Sequence, residues 1–225
     1  MHGTLQRCRL CWTIMTSPDL AALNKNAQVI VEAIGREAVD VYLFLSDEFP
    51  RGPVTQNFVF QFVYRSFYRL DNAGLTPEFK SAYFECMEDA RRGSTVDIVA
   101  IVKGLSKLPN LKGQESLQFS FVTKLASTIN PSYPMYDDKV AKCFGFRVPY
   151  NYKPFDARLQ EYLAFYDSLR EFYEEVRVNG SVKELVNFFE RIYSPAACRV
   201  PEVKVLDFIF WSAGKMRLTA STLGH

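Results

Sequence analysis

Histidine is nearly missing from this 225-residue chain: only His2 and His225, at the two ends, are present. Cysteine offers little more. Cys8, Cys11, Cys86, Cys143 and Cys198 are odd in number and scattered, and only Cys8 and Cys11 have a C-x-x-C spacing. Without a second C-x-x-C or an interior histidine, that spacing reads as ordinary reduced thiols of a cytosolic protein, not as a metal or redox site. Charge of one sign is also lacking. Lys and Arg number 27 against 25 Asp and Glu, a net charge of +2, so any basic footprint for nucleic acid has to be local. No apolar run approaches membrane-spanning length. Met1–Met15, mildly basic with Arg7, Arg9 and Trp12, lacks the apolar core and small-residue cleavage site of a secretory signal. No internal repeat of roughly 20–50 residues and no low-complexity tract occurs. The expectation is a cytoplasmic monomer with no membrane partner and no cofactor.

What is plentiful is aromatic surface. Phe and Tyr number 19 and 12 in a chain that is 48% hydrophobic, enough for one sizeable core or two small lobes. Ser17-Pro18-Asp19 reads as a helix start, the Ser17 hydroxyl capping and Pro18 at the first helical position, with the helix running to about Ile34 before Gly35. Val39–Leu45 fits a short strand or a buried helix equally well. After the loop Phe49–Pro53, Thr55 opens a long aromatic helix that ends near Asp71–Gly74, and its ring stripe is expected in the core. Thr76-Pro77-Glu78 opens a helix that Gly93 stops, and Thr95–Leu108 is helical by pattern. Phe155–Val178 is a long amphipathic helix closed by Asn179-Gly180. Ser181-Val182-Lys183-Glu184 reads as a capping box for a helix to about Tyr193. A last helix spans Pro201–Ala213 with Gly214 as its stop, and Met216–His225 is expected to fray. The fold class is all-α. Pro109–Gln114 reads as a linker between an N-terminal lobe, 1–110, onto which the C-terminal helices can pack back, and a second lobe, 111–225.

The stretch Phe119–Phe146 is less ordinary. Phe121, Leu125 and Ile129 recur at four-residue steps, with Phe119, Val122 and Ala126 widening the stripe, and Lys124 interrupts it. Asn130-Pro131 stops the helix, since a residue before proline is pushed out of the helical region. Pro134 keeps the connection extended, and Asp137 or Asp138 opens a short second helix, where a carboxylate can cap bare amides. Lys124 and Asp137 are thereby placed to face one cleft.

A lysine in an apolar helix, followed after a turn by apolar-Asp-x-x-Val at a helix start, resembles the helix-hairpin-helix DNA glycosylases, the family of endonuclease III and the 8-oxoguanine glycosylases. In that family a G-x-G-x-K hairpin carries the lysine and a V-D-x-H-V segment the aspartate. Here S-F-V-T-K ends at Lys124 and M-Y-D-D-K-V puts Asp137 in the aspartate slot. Neither hairpin glycine is present, the two residues are thirteen apart, and no iron–sulfur loop follows. The resemblance implies a two-lobed helical bundle of that type with a degenerate hairpin. It also implies double-stranded DNA as partner, and removal of a damaged or modified base in repair or in defence against phage DNA with hypermodified cytosines.

Base removal breaks a C1′–N bond through a transition state with positive charge on the sugar. A carboxylate near C1′ stabilises that charge, a role for Asp137 with Asp138 as its neighbour in contention. Lysine held in an apolar helix has a depressed pKa, so a neutral Lys124 amine can attack C1′ and allow lyase chemistry. Tyr133, Tyr136 and Trp211 offer stacking faces for a flipped base. Lys139, Lys142 and Arg147 offer phosphate contacts, which position a duplex without reading it. By the same resemblance Gln56 or Asn57 fills the gap left by the flipped base, and a plain helix cap accounts for them as well. Two other classes fit the sequence: a non-catalytic DNA-binding module of the same fold, and a helical protein-interaction domain in which Lys124 and Asp137 are incidental. The enzyme reading requires the two side chains to converge.

Overall fold

The computed structural model describes residues 15–93 and 95–216. Cys8, Cys11, both histidines and the tail after Met216 lie outside them. Among the described residues the chain is all-helical and strandless, with α1 (Leu20–Lys25), α2 (Ala27–Glu32), α3 (Arg36–Glu48), α4 (Phe58–Phe67), α5 (Pro77–Arg92) and α6 (Ile98–Ser106). These are followed by α7 (Phe119–Ile129), α8 (Asp138–Cys143), α9 (Phe155–Asn179), α10 (Lys183–Ile192) and α11 (Glu202–Lys215). None of these helices is long and apolar enough to cross a membrane. A single antiparallel bridge joins Leu75 to Asn110.

Several boundaries follow from capping chemistry. Thr76 Oγ1 accepts from Phe79 N–H and Pro77 fills the first position of α5, where its missing N–H costs nothing. Gly180, at φ 65°, closes α9 in the left-handed conformation. Elsewhere the structure corrects the sequence reading. Asp19, not Ser17, caps α1, and the first helix is broken at Asn26 into α1 and α2. Val39–Leu45, which fits a strand or a buried helix equally by sequence, is the helix, with Val39, Tyr42 and Leu43 buried at helical spacing. The expected box at Ser181–Glu184 does not form: Val182 takes the N-cap position of α10, and Asn179 Oδ1 claims the Ser181 N–H at 2.8 Å. Gly214 does not stop α11 but sits inside it, against the Lys139 backbone of α8; a Cβ there would overlap the Lys139 carbonyl.

The aromatic helix α4 begins at Phe58, three residues later than expected, and its rings divide. Phe60, Tyr64 and Tyr68 are buried, whereas Phe58 and Phe62 point outward. Helices from both sides of residue 110 share one apolar core. α7 lies against α5 and α6, and α1 and α2 pack on α10 and α11. Polar ties hold that second contact: Ser212 Oγ donates to Ile30 O and Tyr193 OH to Val31 O, each at 2.7 Å. α11 rests most extensively on α8, so α8 is set by the close approach at Gly214.

Candidate functional site

α7 is buried along nearly its whole length, including Thr123, Lys124 and Ser127. Its polar groups survive there because each meets a partner. Most of those partners lie in the extended connection Pro134–Asp137, whose backbone needs partners of its own. Tyr136 N–H donates to Thr123 Oγ1 at 3.1 Å, and Tyr136 O accepts from Ser120 Oγ at 3.1 Å. Pro134 O accepts from Tyr166 OH at 2.8 Å, and Met135 N–H donates to Asp207 Oδ1 at 3.0 Å. The connection is thus fixed by side chains rather than by a sheet or a glycine hairpin, and it delivers Asp137 to the start of α8.

There Asp137 does two things. Its Oδ1 accepts from Lys139 N–H at 2.9 Å, capping α8, and its Oδ2 lies 3.3 Å from Lys124 Nζ. The amine also donates to Ser120 Oγ at 2.9 Å and faces the rings of Phe121, at 5.3 Å, and Tyr68, at 6.0 Å. Burial pushes the Lys124 pKa below the ordinary lysine value; Asp137 and Asp138 oppose the shift and Arg69 adds to it. The Lys124 side chain is 9% exposed and that of Asp137 25%, so the pair meets solvent through the carboxylate. The arrangement sets a desolvated amine beside a partly exposed carboxylate.

Asp138, at the first position of α8, is exposed and adds its charge nearby. Lys139 is half-buried and Lys142 exposed, on the helix that Asp137 caps; Arg147, just beyond it, is exposed. Tyr136 is buried edge-on to Phe119, Phe146 and Tyr162, so its ring presents no open stacking face. Burial raises its phenol pKa far above the usual value. Tyr133 is half-buried under the Arg170 guanidinium, and Trp211 is half-buried under the Lys215 amine. Gln56 and Asn57 are not brought to the pair. Asn57 Oδ1 caps α4 by accepting from Phe60 N–H, and Gln56 is exposed in the preceding turn. Tyr68, whose ring faces Lys124, lies at the other end of α4, about 16 Å away at the usual helical rise.

The sequence reading passed over a second pair, Lys204 and Asp207 on α11. Lys204 Nζ donates to Asp207 Oδ2 at 2.7 Å and to Ser127 Oγ at 2.8 Å. Asp207 Oδ1 accepts from Tyr173 OH at 3.2 Å as well as from Met135 N–H. Burial lowers the Lys204 pKa and raises that of Asp207, against their mutual attraction. The signal was available: a lysine and an aspartate three apart in V-K-V-L-D-F-I-F, the same interruption of an apolar helix that singled out Lys124.

Among the described residues no three His, Cys, Asp or Glu side chains gather to hold a metal ion. Cys143 is buried, which pushes its thiol up to about 12, so it is an inert core residue. A cleft of about 420 Å³ between α4 and α5, lined by Phe58, Gln61, Arg65, Lys80 and Phe84, lies apart from the Lys124–Asp137 pair. Comparison with protein-family models, curated proteins and solved structures finds no match to this chain.

Proposed function

We propose that the chain is a DNA glycosylase that removes a damaged or modified base from a nucleotide turned out of the helix, with Lys124 and Asp137 as its catalytic residues. One observation carries this reading: a desolvated amine from α7 and a partly open carboxylate from the cap of α8 meet at 3.3 Å, thirteen residues apart in the chain. As the C1′–N bond lengthens, the Asp137 carboxylate stabilises the positive sugar. The Lys124 amine, once it has lost its proton, gives its lone pair to C1′. The base departs with the glycosidic electron pair and takes up a proton, and the amine passes one proton to Asp137. Asp137 hands that proton to O4′ as the C1′–O4′ bond opens, leaving a protonated imine at C1′ from which β-elimination breaks the strand. Lys139, Lys142 and Arg147 would supply phosphate contacts beside the pair.

The test is borohydride trapping on duplexes containing oxidised, alkylated or hypermodified bases, with release of the free base followed in parallel. A covalent adduct is expected with the wild type and none with Lys124→Gln. Asp137→Asn is expected to slow base release about a hundredfold or more. Intact bases on every substrate, or release that persists in Asp137→Asn, would overturn the assignment. A second reading, a binding module that leaves DNA intact, draws on the enclosure of Lys124 by Ser120, Phe121 and Tyr68. Duplex binding without base release would select it.

A further inference from the structure

Phe58 is 75% exposed and Phe62 64%, on a helix whose other rings fill the core. Large apolar side chains left together in water mark a surface that something covers. They lie one turn apart, and the same stripe continues to Arg65 and, just past the end of the helix, to Arg69. Arg65 and Lys80 both reach Asp71, at 3.2 and 2.7 Å, so this trio keeps one positive charge. The Arg69 side chain is exposed and forms no ion pair or hydrogen bond among the described residues. Its backbone sits at φ 61°, ψ 32°, a region that non-glycine residues avoid. Tyr68, its neighbour in the chain, places its ring 6.0 Å from Lys124 Nζ, and the Arg69 charge reaches the same amine. The stripe therefore ends beside the Lys124–Asp137 pair.

We propose that the outer face of α4 leads a single nucleic-acid strand to the Lys124–Asp137 pair, with Phe58 and Phe62 as stacking platforms for two bases and Arg65 and Arg69 as phosphate contacts. This rests on the nucleic-acid reading above: the strand that carries the target base crosses α4 unpaired from its complement. Rings serve because every base has a face to stack, and arginines because the backbone charge repeats at every nucleotide. From Phe58 to Arg69 the path is about 16 Å at the usual helical rise, the length of a strand of a few nucleotides.

The experiment is fluorescence anisotropy of the full chain with an undamaged, labelled single strand of about 12 nucleotides, at stepped salt. Phe58→Ala/Phe62→Ala is expected to weaken binding at least about tenfold without changing the melting temperature. Arg65→Ala/Arg69→Ala is expected to flatten the log–log salt slope by about 0.7 for each phosphate that is no longer neutralised. Wild-type affinity in both variants, or a wild type that binds no strand at low salt, would overturn the proposal. So would self-association of the wild type that the phenylalanine variant abolishes in the absence of strand binding, which assigns the face to a second copy. The two proposals fail separately. Strand binding by the wild type without base release would sink only the glycosylase reading, and loss of the α4 track with base release retained would leave the glycosylase reading standing.

Discussion

Lys204 reaches Asp207 across one turn of α11 at 2.7 Å, whereas Lys124 reaches Asp137 between two helices at 3.3 Å. Both amines lean on a serine of α7, Ser127 for the first and Ser120 for the second. The chemistry is the same and the surroundings are not. The α11 pair is sealed, its side chains 1% and 7% exposed, and Asp207 Oδ1 also accepts from Tyr173 and from the Met135 backbone. The α7–α8 pair opens through a carboxylate that is 25% exposed and has one further partner, the α8 amide it caps. A sealed pair whose carboxylate accepts from three donors ties α11 to the 134–137 connection. A pair with solvent at one side keeps a carboxylate accessible, which a structural tie does not need.

The sharpest way to break this contrast is to remove one acid from each pair. Asp207→Ala strands the Lys204 amine, the Tyr173 hydroxyl and the Met135 amide in the core, and is expected to cost about 3–5 kcal/mol in urea denaturation. Asp137→Ala removes a helix cap and leaves an amine near solvent, for about 1–2 kcal/mol. Equal costs would erase the distinction. Next in size is Gly214→Ala. Helix propensity alone favours alanine by roughly 1 kcal/mol. Here the new methyl meets a backbone carbonyl, which cannot swing aside as a side-chain tip does, and a net cost of about 1–3 kcal/mol is expected. Because Lys204 and Asp207 share α11, they move together when α8 is pushed away. Asp137 moves with α8 and is drawn off Lys124, so base release is expected to fall further than stability does.

Much of this frame is legible in the sequence where a local rule decides it. Thr76-Pro77 opens α5, Asn179-Gly180 closes α9, and an aspartate after Pro134 caps α8 because capping needs only neighbouring residues. What depends on a distant partner is not legible. Ser120, Thr123 and Ser127 read as ordinary small helix residues until the 134–137 backbone lies against them. Lys204 and Asp207 interrupt an apolar helix visibly, but the partners that seal them, Ser127, Tyr173 and the Met135 amide, are brought by other elements. Phe58, Phe60 and Phe62 alternate within a helix, which spreads rings around its axis and leaves the buried side undecided until α5 packs. Gly214 follows a stop rule that tertiary contact overrides, since α8 needs its missing side chain.

The serines sharpen the comparison at a finer scale. Ser127→Ala takes an acceptor from a sealed amine that has no water to turn to, and about 1–3 kcal/mol is expected. Ser120→Ala takes an acceptor from Lys124 and a donor from Tyr136 O, at a site where water can enter beside Asp137; about 1 kcal/mol is expected. Chemical denaturation of the two variants side by side measures the difference. A larger cost for Ser120→Ala would mean that the outer pair is the better sealed of the two.

The smallest stability effect is expected at the residue that matters most to the proposed chemistry. Lys124→Met removes a charge that burial already disfavours and leaves Asp137 with solvent and its helix cap, so stability near neutral pH should change by less than about 1 kcal/mol, or rise. The pH dependence fixes the sign. Below the depressed folded pKa of Lys124, folded and unfolded chains both hold the proton, and the cost of burying the charge is present in full. Between that value and the ordinary value of 10.5, the unfolded chain binds more protons, so wild-type stability rises with pH. The methionine variant lacks this contribution, and any advantage it holds should therefore shrink as the solution is made alkaline. Urea melts of the two proteins between neutral and alkaline pH measure it, and a wild-type trapping rate that climbs with pH and levels off below 10.5 would report the same amine. A methionine variant destabilised by several kcal/mol at neutral pH, as Asp207→Ala is expected to be, would make Lys124 a structural tie of the same kind as Lys204. The amine would then have no claim to catalysis.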